Sequence, residues 1–196
     1  LSALSTRVQS LCACAMGKWF TRKEVVLHTL VDTPEAPIKP SWAFIIAKPW
    51  RFVAFGLGSG LLPKAPGTWG SLAALPFFLL LHQLPIYAYW VGLVFAFIAG
   101  IWICGKTSAD LGVEDHSGIV WDEFVGLWLS LACVPPGWGW LLVGFLLFRL
   151  FDTVKPWPIS WFDKHLHGGL GVMFDDILAG IAALVLLQDK SIVVAL

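Results

Sequence analysis

From Trp42 onward, apolar runs alternate with short polar links: 43–62, 69–84, 86–104, 119–134, 138–151 and 172–187. Only 86–104 approaches the roughly 20 residues that a helix needs to cross a bilayer's hydrocarbon core. The other runs can gain length from flanking residues or sit where the bilayer thins. Run 43–62 is broken by Lys48, Pro49 and Arg51 and then by glycines, which predicts an interfacial or re-entrant segment. Residues 1–41 differ: they hold eight charged side chains and end in Pro34, Pro37 and Pro40. That composition predicts a flexible N-terminal cytosolic arm and linker over 1–41. A membrane-embedded helical domain is expected over 42–196.

Composition strengthens this reading. Of the 196 residues, 58% are hydrophobic and 13% charged, with mean hydropathy +0.77. A soluble domain carries about 25% charged residues, so an ordinary cytosolic globule is not expected. Thirteen basic and thirteen acidic residues balance, leaving no basic surplus for a nucleic-acid partner. Cys12, Cys14, Cys104 and Cys133 include no CxxC pair and are read as incidental or buried thiols. Residues 1–15 have no apolar core of signal-peptide length; Met16 opens a more ordinary start.

Lys and Arg set the orientation. Eight precede residue 69, whereas the links 82–86 and 135–137 have none. Lys106 lies in link 105–118, and Arg149, Lys155 and Lys164 in 149–171. The positive-inside tendency then places the N-terminus and the longer links in the cytoplasm and the C-terminus outside, with five spans. Trp90, Trp102, Trp121, Trp138, Trp140, Trp157 and Trp161 fall near run ends, where indoles anchor at the interface. The expected fold is all-α: a small polytopic membrane helical bundle of about five spans plus the interfacial or re-entrant segment.

On this map the acids collect at one level. Asp122 and Glu123 open run 119–134, Asp152 closes 138–151 one turn after Arg149, and Asp175 and Asp176 open 172–187. Ionisable groups at membrane depth are costly and mark function by default. WDEFVG at 121–126 and FDDILAG at 174–180 echo each other: Asp122 and Asp176 each precede a glycine by four residues, Gly126 and Gly180. A small residue one turn below each acid lets helices approach closely. Carboxylates brought that close repel unless a cation sits between them, and oxygen-only ligands suit Mg²⁺ or Mn²⁺ rather than zinc. Asp122, Glu123, Asp175 and Asp176 are the candidate metal ligands. Each pair taken alone also reads as a helix-start acid with no further role.

Segment 56–71 carries five glycines with Lys64, Thr68 and Ser71. It is neither a Walker loop nor a dinucleotide fingerprint. Its backbone N–H groups are expected to form an anion nest, with Thr68 and Ser71 capping the next helix. Arg149 is expected to pair with Asp152 or reach a phosphate oxygen. Lys155, before Pro156, is a loop cation near the acids. His116 has a better claim to proton transfer than His165 or His167, which read as interfacial; His82 falls at the opposite side.

Carboxylates suited to Mg²⁺, cations and a Gly-rich segment are the equipment of phosphoryl chemistry, and a site at the lipid–water boundary suits a phospholipid headgroup. GSGLLPKAPGTWGSLAALP, SGIVWDEFVG, FRLFDTVKPWPI and GGLGVMFDDILAG strongly resemble the phosphatidylglycerophosphatase A family, in the right order from about Trp50 to Ala183. The resemblance implies Mg²⁺-dependent hydrolysis of the terminal phosphate of phosphatidylglycerophosphate at the bacterial inner membrane. It places the active site at the acid clusters, the PGT-containing loop with Gly67, and the KPWPI segment. The expected mechanism has Asp122, Glu123, Asp175 and Asp176 holding Mg²⁺ and Asp152 as a nearer or outer ligand. Phosphate would be held by Lys64, Gly67, Thr68, Ser71, Arg149 and Lys155. Water attacks phosphorus with His116 or an acid handling the proton, or an Asp attacks first.

The rival readings are weaker. A CDP-alcohol phosphotransferase wants a DG dipeptide, which is absent, and a histidine-dependent lipid phosphatase wants an SGH element. A small ion or proton transporter would use the same acids but place them near mid-span, with polar residues on both sides. A soluble helical domain would leave the membrane with salt alone.

Overall fold

The computed structural model describes residues 39–113 and 115–188. The expected arm, apart from residues 39–41, lies outside them, as do Cys12, Cys14, Met16 and the tail beyond Gln188; so does the side chain of Lys164.

Two short helices, α1 (Trp42–Ile46) and α2 (Pro49–Ala54), lead into a 3-10 segment, Gly56–Leu61. Ser41 caps α1 by accepting the Phe44 N–H, and Pro49 starts α2, where its fixed φ fits and its missing N–H costs nothing. Then come α3 (Pro66–Leu81), α4 (Ile86–Leu111), α5 (Trp121–Ser130), α6 (Trp138–Val154), α7 (Ile159–His165) and α8 (Gly168–Leu187). No strand occurs among the described residues.

The organising element is α5. Every residue from Phe124 to Ser130 is buried, and the helix packs against α3, α4, α6 and, most extensively, α8. Its indoles hold the surrounding helices: Trp128 Nε1 donates to the Ala74 carbonyl of α3 at 3.0 Å, and Trp121 Nε1 to the Ala96 carbonyl of α4 at 3.1 Å. Tyr89 of α4 returns a bond to the Trp128 carbonyl at 2.6 Å. These pairings give directions. Helices α3, α5 and α8 start at the end of the bundle where α4 and α6 finish. Alternating direction is what short links between successive helices produce.

The apolar runs convert unevenly into spanning helices. α4, at 26 residues, and α8, at 20, are long and apolar enough to cross a membrane. α3 has 16 residues and α6 has 17. Run 119–134 yields a helix of only ten residues, about 15 Å long, because the chain turns at 131–133 before Pro135. Its apolar residues are buried by neighbouring helices rather than by lipid, a difference that an apolar run does not reveal. Run 43–62 forms α1, α2 and the 3-10 segment, with no single long helix.

The bundle's exterior is apolar. Tyr87, Val91, Phe95 and Ile98 of α4, Leu142 and Leu146 of α6 and Val185 of α8 are exposed, whereas Ser71, Thr107, Ser130 and Asp176 are buried. Contiguous exposed apolar surface on this scale marks a surface made to be covered.

Candidate active site

The glycine pairing expected from the sequence brings the acids together. A Cβ on Gly180 would lie 2.6 Å from the Gly126 carbonyl oxygen, and one on Gly126 would lie 2.8 Å from the Asp176 carbonyl oxygen. α5 and α8 therefore touch backbone to backbone one turn below Asp122 and Asp176. A parallel pair in such contact carries its two acid pairs to the same level. Asp176 lies within electrostatic reach of Asp152, Asp122, Asp175 and Glu123, so five carboxylates from three helices share one region.

Arg149 organises one side of it. Its Nη1 is 2.6 Å from Asp152 Oδ2 and 3.3 Å from Glu123 Oε1. Ser71 Oγ lies 3.2 Å from Glu123 Oε2 and 3.0 Å from the Gly67 carbonyl, and Arg149 Nη1 lies 3.4 Å from that hydroxyl. Gly67 is there because nothing larger fits: a Cβ would collide with the Glu123 carboxylate. Glu123, expected with the metal ligands, thus places one oxygen on Arg149 and the other on Ser71. Its geometry is that of a residue orienting the guanidinium.

Lys155 organises the other side. It ends α6 with φ 43, a left-handed conformation that turns the chain towards Pro156. Its Nζ donates to Asp163 Oδ1 at 2.7 Å and to Asp175 Oδ2 at 2.5 Å. Partial burial disfavours its charge, but the bonds to Asp163 and Asp175 outweigh that and hold its pKa above the usual lysine range. A cavity of about 190 Å³ opens beside this pair, lined by Asp115, Asp163, His167, Gly171 and Asp175.

Three carboxylate oxygens of this cluster have no protein partner: Asp122 Oδ1, Asp175 Oδ1 and Asp176 Oδ2 are buried and accept no hydrogen bond. Unpaired buried oxygens are costly, and hard oxygen donors are what Mg²⁺ prefers. Among the described residues no three His, Cys, Asp or Glu side chains already converge on a metal position. Mg²⁺ does not need such a set, because one or two carboxylates, waters and a substrate phosphate complete its octahedron. The donor set fits that ion, with Asp122, Asp175 and Asp176 the residues that could hold it.

Other expectations fare differently. Thr68 and Ser71 do not cap α3: Ala65 is its N-cap and Pro66 its first residue, which puts both hydroxyls inside the helix. Nor do the first glycines form an anion nest. The N–H groups of Gly58 and Gly60 both donate to the Phe55 carbonyl, and that of Leu62 to Ser59. Their role is close packing, since a Cβ on Gly60 would strike the Gly118 carbonyl. Lys64 is exposed and forms no ion pair among the described residues. His116 accepts the Gly118 N–H on Nδ1 at 2.9 Å and tilts against Phe55; among the described residues no hydrogen bond or ion pair joins it to the carboxylates. His165 stacks on Trp161 at 4.4 Å, as an interfacial side chain would. Cys104 is buried and Cys133 exposed. Asp163 escaped the sequence reading, since it lies eight positions from Lys155, across a turn and inside α7. So did Asp110, which accepts from Trp50 Nε1 at 3.0 Å and Arg51 Nε at 2.8 Å, tying α2 to α4.

Residues 52–188 match the family described as Phosphatidylglycerophosphatase A. An Escherichia coli (strain K12) relative named phosphatidylglycerophosphatase A is 48% identical over 137 residues, covering 69% of this chain and 80% of its own. One of the same name from Haemophilus influenzae is 46% identical over 142 residues, covering 71% and 87%. A Bacteroides thetaiotaomicron protein, named as a candidate phosphatidylinositol-3-phosphatase, is 42% identical over 143 residues, covering 69% and 89%. No solved structure matches. The matched stretch runs from α2 to the end of α8 and takes in every carboxylate, cation and glycine of the site, and the chain belongs to the phosphatidylglycerophosphatase A family.

Proposed function

We propose that this protein is a Mg²⁺-dependent lipid phosphatase that hydrolyses the terminal phosphomonoester of phosphatidylglycerophosphate, giving phosphatidylglycerol and inorganic phosphate. The observation that carries this reading is the row of partnerless buried oxygens on Asp122, Asp175 and Asp176, flanked by Arg149 and Lys155, in a chain of this family. A transporter is disfavoured because the chain belongs to a family described as a phosphatase.

Asp122, Asp175 and Asp176 would hold Mg²⁺, which when bound offsets phosphate charge and polarises a phosphate oxygen. Arg149, oriented by Glu123, Asp152 and Ser71, presents a planar fork suited to phosphate oxygens. Lys155 supplies a fixed positive charge on the opposite side. Attack by water forms one P–O bond and breaks the ester bond to the glycerol oxygen. The proton given up by the water passes to a neighbouring carboxylate, and the glycerol oxygen takes one up. A covalent aspartyl-phosphate route uses the same residues. His116 as proton carrier, and Lys64, Gly67 and Thr68 as phosphate contacts, belong to this proposal; Gly67 packs against the Glu123 carboxylate.

In this reading residues 42–196 form a polytopic membrane domain in a bacterial inner membrane. α3, α4, α5, α6 and α8 are its embedded helices, and α1, α2 and the 3-10 segment lie at the interface. The apolar exterior and the distribution of Lys and Arg support it, with the site facing the cytoplasm and residues 1–41 as a cytosolic arm.

The test is phosphate release from phosphatidylglycerophosphate in mixed micelles, with Mg²⁺ and with EDTA, beside phosphatidylinositol 3-phosphate. Mg²⁺-dependent release from the first is expected. Release from neither lipid would overturn the proposal.

A further inference from the structure

We infer that the groove between α3 and α6 seats an acyl chain of the phospholipid substrate. The inference rests on the phosphatase reading and assigns a subsite to it. The groove is a cavity of about 240 Å³ lined on α3 by Leu72, Leu75 and Leu79 and on α6 by Leu141, Leu142 and Phe145, with Trp138 at its far end. Its two walls are the helices that deliver Ser71 and Arg149 to the site. Leu72 follows Ser71 directly, and Phe145 stands one turn before Arg149 on a helix running the other way. The groove therefore starts beneath the Arg149–Glu123–Ser71 cluster and leads away from it. Both of its walls pack on α5.

The dimensions and chemistry suit a lipid tail. From Leu72 to Leu79 the wall runs about 10 Å along the helix axis. That is about two thirds of one leaflet's hydrocarbon depth, itself half of roughly 30 Å. Apart from the Trp138 indole at its far end, no charged or hydrogen-bonding side chain lines the groove. An acyl chain gains no hydrophobic free energy on moving into it from bulk lipid, so its contribution is orientation: it fixes the headgroup above Arg149. Continuity with the site separates this groove from the exposed face around Val91, Val94 and Phe95 of α4, which borders none of the site residues.

Kinetics on two substrates test the inference: phosphatidylglycerophosphate with hexadecanoyl chains, and its dihexanoyl analogue, whose tails end near the groove's mouth. Leu75→Trp, which fills the groove, is expected to lower kcat/KM on the long-chain lipid by about tenfold or more and to leave the short-chain value unchanged. Val91→Trp, on the face outside the groove, is expected to change neither. In the unaltered protein, a lipid carrying a mid-chain photoreactive group should label 72–79 and 141–145, and excess substrate should suppress that labelling but not labelling of α4. Equal loss on both substrates, equal effects of the two Trp variants, or labelling that substrate does not compete would overturn the inference. So would a change of oligomeric state in Leu75→Trp without a chain-length effect, which would give the groove to a second copy of this chain. A wild-type protein inactive on both lipids would instead bring down the phosphatase reading.

Discussion

Gly126 and Gly180 meet backbone to backbone where α5 crosses α8, each four residues after an aspartate whose side chain has a buried, partnerless oxygen. The contact sets how far apart Asp122 and Asp176 stand. Gly180→Val would force the helices apart or bury strained atoms, and overpacking of this kind costs about 1–3 kcal/mol. A lower unfolding temperature in detergent is expected, with a fall in activity larger than the fall in folded fraction. Wild-type stability and turnover would show that the helices are not held this way.

Asp122→Asn and Asp176→Asn change one oxygen to nitrogen and keep the shape. Each is expected to reduce Mg²⁺-dependent phosphate release by at least about a hundredfold while the protein still inserts. Because both variants remove a buried negative charge from a cluster of carboxylates, thermal stability without Mg²⁺ should hold or rise. The stabilisation that added Mg²⁺ gives the wild type should shrink in both, read as a smaller melting shift. Wild-type turnover in both variants would remove these residues from the site.

Arg149 bridges two carboxylates on different helices, 2.6 Å from Asp152 and 3.3 Å from Glu123. Arg149→Lys keeps the charge but loses the fork. It is expected to lower kcat/KM while retaining most stability. Arg149→Ala leaves two partly buried carboxylates facing each other and should fail on both counts. If Lys and Ala behaved alike, the fork geometry would be irrelevant.

Lys155 gives a pH prediction. Its pKa is raised, so the stability from its pairs with Asp163 and Asp175 is fully present below the unfolded lysine value of about 10.4 and lost as pH climbs through the higher folded value. No limb of the pH–rate profile between about pH 6 and 9 should belong to it. Lys155→Met should lower the profile and leave its alkaline limb in place. Loss of an alkaline limb in that variant would show that Lys155 titrates in the working range.

The sequence made some of this legible and hid the rest for physical reasons. The repeated acid–glycine spacing foretold the α5–α8 crossing, and the three-residue spacing of Arg149 and Asp152 foretold their pair, because both depend on helical periodicity alone. The bond between Ser71 and Glu123 spans 52 positions, and no local pattern encodes it. The same holds for Asp163, which sits on α7 and meets Lys155 across the turn at 156–158. Run 119–134 reads as an ordinary span, although α5 is only ten residues long, because burial in lipid and burial in protein select the same side chains. The glycines of 56–60 suggested an anion site because freedom to turn and freedom to pack closely call for the same residue.

With its carboxylates meeting where α3 and α5 begin and α6 ends, the bundle can work on one leaflet alone. In vesicles holding the protein in a single orientation, hydrolysis should stop at about half the substrate until a scramblase or detergent lets the remaining lipid exchange sides. Sidedness of this kind would tie the rate of product formation in a cell to the face of the bilayer on which the phosphorylated lipid is made.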